Sequence, residues 1–190
     1  MSMGQTMITA AFLVLLIMSA INVNRMLVNS AQSAYEAEAY DLAVGIAQDL
    51  LVEATSKRFD QNATTTPGVT QNTSEFSTTM GPSSSERASI VPWPDASSTN
   101  AFKSKLYYTD VDDYNGYERT VNAKTISGFK VTAEVYYVTG TNLDVKTTTR
   151  TYFKKIDVHV GHPSYLVRKD LPADDPRYLY GVTYSRIKTY

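Results

Sequence analysis

Residues 6–26, TMITAAFLVLLIMSAINVNRM, carry one charge, Arg25, near their C-terminal end. A stretch this long and apolar can cross the hydrocarbon of a bilayer, which takes about 20 such residues. It does not stop where a simple span stops. Residues 1–58 contain no proline, and after Gly4 their only glycine is Gly45, so no strong breaker interrupts a helix. Past the junction, Leu27, Ala31, Ala34, Tyr35, Leu42, Ile46, Leu50 and Ala54 form an apolar stripe. Arg25, Glu36, Asp41, Asp49, Glu53 and Lys57 lie largely off it. The pattern predicts one helix over 1–58, roughly 80 Å long at the α-helical rise. Residues 1–28 are apolar all round and 29–58 amphipathic, with Asn22 and Asn24 able to loosen the junction.

Composition changes abruptly after the helix. Residues 59–104 read as a Ser/Thr/Pro-rich loop: sixteen of residues 61–100 are Ser or Thr, interrupted by Pro67, Pro82, Pro92 and Pro94. Asn62 and Asn72 begin N-glycosylation sequons, in a segment equally readable as an unmodified polar loop. Residues 105–190 read as an antiparallel β head with a Tyr-rich tail. In GFKVTAEVYYVTG, Phe129, Val131, Ala133, Val135 and Tyr137 face one way, and Lys130, Thr132, Glu134 and Tyr136 the other. Thr139–Asn142 is a turn signal, and Ile156, Val158 and Val160 share one face of a second strand that Pro163 ends. The apolar face of this pair should pack on the helix stripe, with Leu42, Ile46 and Leu50 against Phe129, Val131, Val135, Ile156 and Val158. The expected fold class is α+β. The tail can add an edge strand, and Tyr178, Tyr180, Tyr184 and Tyr190 either form an exposed aromatic surface or pack on the head's own core.

Several functions are poorly served. With 18 basic and 19 acidic residues, the chain lacks the basic excess of a nucleic-acid binder. It has no cysteine, hence no disulfide framework, thiolate metal site or cysteine nucleophile. No nucleophile–base pair or phosphate loop stands out, so no enzymatic activity and no cofactor is expected. In DVDDYNG, Asp110, Asp112 and Asn115 resemble the start of a calcium loop but lack the distant bidentate acid; an acidic turn between strands is the competing reading. His159 and His162 lack a nameable third ligand.

Three readings of the N-terminus compete. A secretory signal needs a basic start and a cleavage site, whereas this pattern runs on without either. A plain anchor is normally oriented by Lys or Arg on its cytoplasmic side, and here Arg25 follows the span. Both difficulties vanish if a short basic leader has been removed. In its uncharged start, MSMGQTMITAAFLVLLIMSAINVNRM, in its continuation AYDLAVGIAQDLLVEA, in its irregular loop and in its strands GFKVTAEVYYV and TYFKKIDVHV, the chain resembles type IV pilins and the pseudopilins of type II secretion.

The resemblance implies a filament subunit. Such proteins wait in the inner membrane, a prepilin peptidase removes the leader and methylates the new N-terminus, and an assembly machine packs identical subunits into an extracellular helical homopolymer. Met1, Gln5, Thr9, Phe12, Leu13, Leu15, Leu16, Ile17 and Ile21 would then lie in the filament core. The family usually has Glu at the fifth mature position. Here that position is Gln5 if Met1 is the mature start, or Thr9 if cleavage follows Gly4. The family's frequent proline near position 22 is also missing. The expected function is a structural pilin-like subunit. The alternatives are a minor pilin or pseudopilin, and a singly anchored periplasmic or surface binding domain.

Overall fold

The computed structural model describes residues 3–63, 71–82, 104, 107–167 and 181–190. Met1, most of the Ser/Thr loop with Pro67, Pro92 and Pro94, and Tyr178 and Tyr180 lie outside these. The fold is α+β: one helix, α1 (Met3–Ser56), then a five-stranded antiparallel sheet. Contacts divide the chain into two units, 1–38 and 39–190.

In the first unit α1 buries none of its side chains; all are exposed from Met3 to Tyr35. The only charge among these residues is Arg25. The helix continues through Asn22 and Asn24 without a break.

In the second unit α1 seats on the sheet. Ala39, Ala43, Ala47, Leu50, Leu51 and Ala54 are buried, at the three- and four-residue steps of one helical face. They share a core with Phe129, Val131, Val135, Ile156, Val158 and Val160. The centre of this face is made of alanines, whose small side chains let the helix lie close. Leu42 and Ile46 are half-buried and pack at its margin. The helix meets the last two strands, and Lys188 donates to the carbonyl of Thr55 at 2.7 Å, satisfying an orphan acceptor of the last turn.

The strands are β1 (Tyr117–Asn122), β2 (Ser127–Thr139), β3 (Asn142–Thr147), β4 (Phe153–Gly161) and β5 (Gly181–Thr189). The order is β1-β2-β4-β5. The long β2 pairs β4 along one edge from Lys130 to Tyr137. Its other edge takes β1 at the N-terminal end and β3 at the C-terminal end. Thr139 to Asn142 is the β2–β3 turn, so β3 lies in sequence between the two strands that the alternation pairs. The β4–β5 ladder runs unbroken from Phe153↔Thr189 to Gly161↔Gly181. Gly181 permits this: a Cβ there would sit 2.3 Å from the Val160 carbonyl and 2.7 Å from the His159 ring.

Candidate functional site

The first candidate region is α1 from Met3 to Tyr35. Phe12, Leu13, Leu15, Leu16, Ile17 and Ile21 are exposed, between 48% and 66%, on a helix long and apolar enough to cross a membrane. Its polar side chains are partly silenced by the helix itself. The Thr6 hydroxyl donates to Met3 O at 2.9 Å, and that of Thr9 to Gln5 O and Thr6 O, each at 3.0 Å. Hydroxyls bonded in this way need no outside partner in an apolar medium. Gln5, like Asn22, Asn24 and Asn29, is an exposed side chain whose amide offers donors and an acceptor at the surface.

The second region is a buried charge cluster in the head. Lys154 is fully buried, and its three ammonium protons have three acceptors: Phe59 O at 2.9 Å, Asp60 Oδ2 at 2.9 Å and Asp112 Oδ1 at 2.8 Å. The rings of Phe59 and Tyr137 lie 4.6 and 5.1 Å from Nζ and wall it from water. Asp60 also accepts from Asn62 N at 2.9 Å, Ser77 N at 2.8 Å and Ser77 Oγ at 3.0 Å. Burial pushes its carboxyl up, but Lys154 and the amides of Asn62 and Ser77 outweigh that and hold it below the usual range. The Tyr137 hydroxyl donates to Ser77 O at 3.0 Å; burial and the Asp60 charge push that phenol well above its ordinary value.

The DVDDYNG segment is the other wall. Val111 N donates to Arg58 O at 3.0 Å, tying it to the end of α1. Asp113 Oδ2 accepts the amides of Thr109 at 2.7 Å and Asp110 at 3.1 Å. Asn115 Oδ1 accepts from Val135 N at 3.1 Å, and its amide nitrogen donates to Met80 O at 3.4 Å. Tyr114 donates to Glu53 Oε1 at 2.8 Å, joining the turn to α1. Asp110 is buried, and its Oδ1 has no hydrogen-bond partner. Burial, a hydrogen bond with Asp112 and the charges of Asp112 and Asp113 push its carboxyl up to about 9. Of the residues read from sequence as calcium ligands, Asp112 thus faces the Lys154 ammonium and Asn115 a backbone amide, while Asp110 lies buried beside Asp112. Among the described residues no group of three or more acidic or histidine side chains is arranged to hold a metal.

The remaining candidates are placed as follows. Leu50, Phe129, Val131, Val135, Ile156 and Val158 lie in the core beneath α1. His162 has Nε2 3.0 Å from Ser127 O, while Nδ1 accepts from Ser164 N at 3.1 Å, which fixes its tautomer and ties down the end of β4. His159 bonds Thr183 across β4 and β5 at 3.0 Å. Asn62 and Asn72 are exposed. Tyr190 packs on Phe59 and Phe76, with ring centroids at 5.9 and 5.2 Å, and Tyr184 is partly buried against the core.

Sequence reasoning passed over Lys154. The signal was there: Lys154 is in phase with Ile156, Val158 and Val160, so a charge stands on the inward face of a strand and demands a counter-charge. Its partners Asp60 and Asp112 are 94 and 42 residues away, beyond any local pattern. Comparison with protein-family models, with curated proteins and with solved structures gives no match.

Proposed function

We propose that the chain is a structural subunit of a helical filament, with residues 3–28 embedded in a membrane before assembly and packed among identical copies after it. The observation that carries this reading is the exposure of every side chain from Met3 to Tyr35, a helical stretch whose one charge is Arg25. Each such large apolar side chain is worth about 1.5–3 kcal/mol when removed from water. A surface apolar on all sides is equally at ease in lipid and in a bundle of its own kind. The self-satisfied Thr6 and Thr9 hydroxyls suit both media. Copies that meet by staggered, head-to-tail contacts do not close, and so polymerise.

Within this reading Gln5 or Thr9 stands where type IV pilins usually carry Glu; Gln5 offers a side-chain amide, and Thr9 a hydroxyl that donates to its own helix. A neutral amide can bond a neighbour's terminal amine, but more weakly than a carboxylate does. Processing by a prepilin peptidase and export by a pilus-type assembly machine belong to the same proposal.

The test is to shear surface material from cells making the chain, image it by negative stain and identify its subunits by mass spectrometry. Filaments composed mainly of this chain are expected. Filaments with only traces of it would make it a minor subunit or pseudopilin, and a chain confined to the membrane fraction would overturn the proposal in favour of a singly anchored domain.

A further inference from the structure

The head cluster holds the groups that an amide condensation requires. We propose that Lys154 Nζ and the side chain of Asp112 join in an intramolecular amide bond, releasing one water and tying β4 to the Asp112–Tyr114 turn.

Proximity comes first. Nζ lies 2.8 Å from Asp112 Oδ1, both side chains are at most 4% exposed, and aromatic rings close the site. In water, an amine and an acid are held apart from their amide by the solvation of the two ions. Here that solvation is gone, burial penalises both charges, and condensation removes both. Fixing the reactants in contact also removes the entropic part of the barrier.

The neighbours divide the remaining roles. Asp60 has four further donors besides Lys154, so it stays an anion and a poor electrophile; its Oδ2, 2.9 Å from Nζ, is placed to take a proton from the ammonium. Asp110, buried two residues before Asp112 with its Oδ1 unpartnered, is held protonated by burial and the charges of Asp112 and Asp113, and can lend that proton to the departing oxygen. The freed amine attacks the Asp112 carboxyl carbon and the C–N bond forms. One carboxyl C–O bond then breaks, and the oxygen leaves as water with the proton lent by Asp110 and the proton returned by Asp60, while the second proton lost from the nitrogen passes to Asp110. The third proton stays on the amide nitrogen. Asp60 and Asp110 end as they began, and no oxidant or further reactant is consumed.

The test is peptide mapping of the full chain, purified in detergent and digested with trypsin after denaturation. The expected product is a branched peptide joining the Lys154 and Asp112 segments, lighter than their sum by one water and uncut after Lys154. Separate linear peptides accounting for both residues would overturn the proposal, as would a branch to Asp60. Two variants guard against misassignment. Lys154→Arg keeps a cation and should lose the branch. Asp110→Asn keeps a hydrogen-bonding side chain without an acid proton; a chain that still melts cooperatively should show a much smaller branched fraction. An unchanged fraction would overturn the role given to Asp110.

Discussion

The two ends of α1 invert the usual distribution of side chains. From Met3 to Tyr35, leucines, isoleucines, methionines and a phenylalanine stand outside on every face. In the head, Lys154, Asp60, Asp110, Asp112 and Asp113 are inside, each at most 4% exposed. Apart from Asp110, whose Oδ1 has no partner, these buried groups are explained within the molecule: the lysine has three acceptors, and Asp60, Asp112 and Asp113 have amide, hydroxyl or ammonium donors. Among the described residues, the exposed apolar surface has no such internal explanation. It is on an apolar face of that size that the proposal of a lipid phase, then other copies, rests. Changes in the first region should therefore alter where the protein resides and leave the stability of the head alone. Changes in the second should do the reverse.

The largest effect expected is from removing residues 1–28. At about 1.5–3 kcal/mol per large side chain, the loss should turn a detergent-dependent protein into one that stays in solution, read by centrifugation and light scattering. The circular dichroism and melting of the head should be unchanged. A shortened chain that still needs detergent would break the comparison. Next comes Lys154→Met, which leaves Asp60 and Asp112 buried without the Nζ group that holds them, ion-paired or condensed. Breaking one partner of a buried ionic network costs about 3–5 kcal/mol, visible in denaturant melts, while membrane partition should not change. Adding Asp112→Asn should recover part of that loss.

A smaller effect tests the sheet. Gly181→Ala would push a Cβ to within 2.3 Å of the Val160 carbonyl, which is backbone and cannot swing away. A cost of about 1–3 kcal/mol is expected from such overpacking, with β5 protection lost first in hydrogen exchange. The smallest is a pH effect. Burial lowers the pKa of His159 below its ordinary 6.5. The unfolded chain then binds the proton first, so this contribution to stability is fully present above pH 6.5 and lost as pH falls through the folded value. Replacing His159 with Gln should flatten that acid-side slope in melting temperature, and leave the alkaline side untouched.

What was legible in the sequence follows the range of the interactions. α1 was readable because a continuous absence of breakers and an apolar run are local, and Met3–Ser56 falls within the expected 1–58. The alternation of β2 and β4 was local too. The seat of the helix was harder to read. Ala39, Ala43 and Ala47 form its centre, but alanine adds little to an apolar stripe, so Leu42 and Ile46 drew attention instead. The polar sequence of β1, YERTVN, gave no strand signal of its own; it pairs because β2 offers an edge. In the candidate site, the exposed apolar half-helix was plain, while the charge cluster was hidden. DVDDYNG looked like a ligand loop because its acids were counted without the lysine that the sheet brings to them.

The central claim is that the apolar half of α1 packs among copies of itself. The chain has no cysteine, so a single Leu16→Cys variant reports on that contact without interference. In filaments sheared from the cell surface, mild oxidation or a short thiol cross-linker should give covalent dimers of the variant. The same substitution at Thr183, on β5 in the head, should give none. Failure of Leu16→Cys to cross-link in intact filaments of this chain, or its recovery only as a monomer in the membrane, would contradict the account.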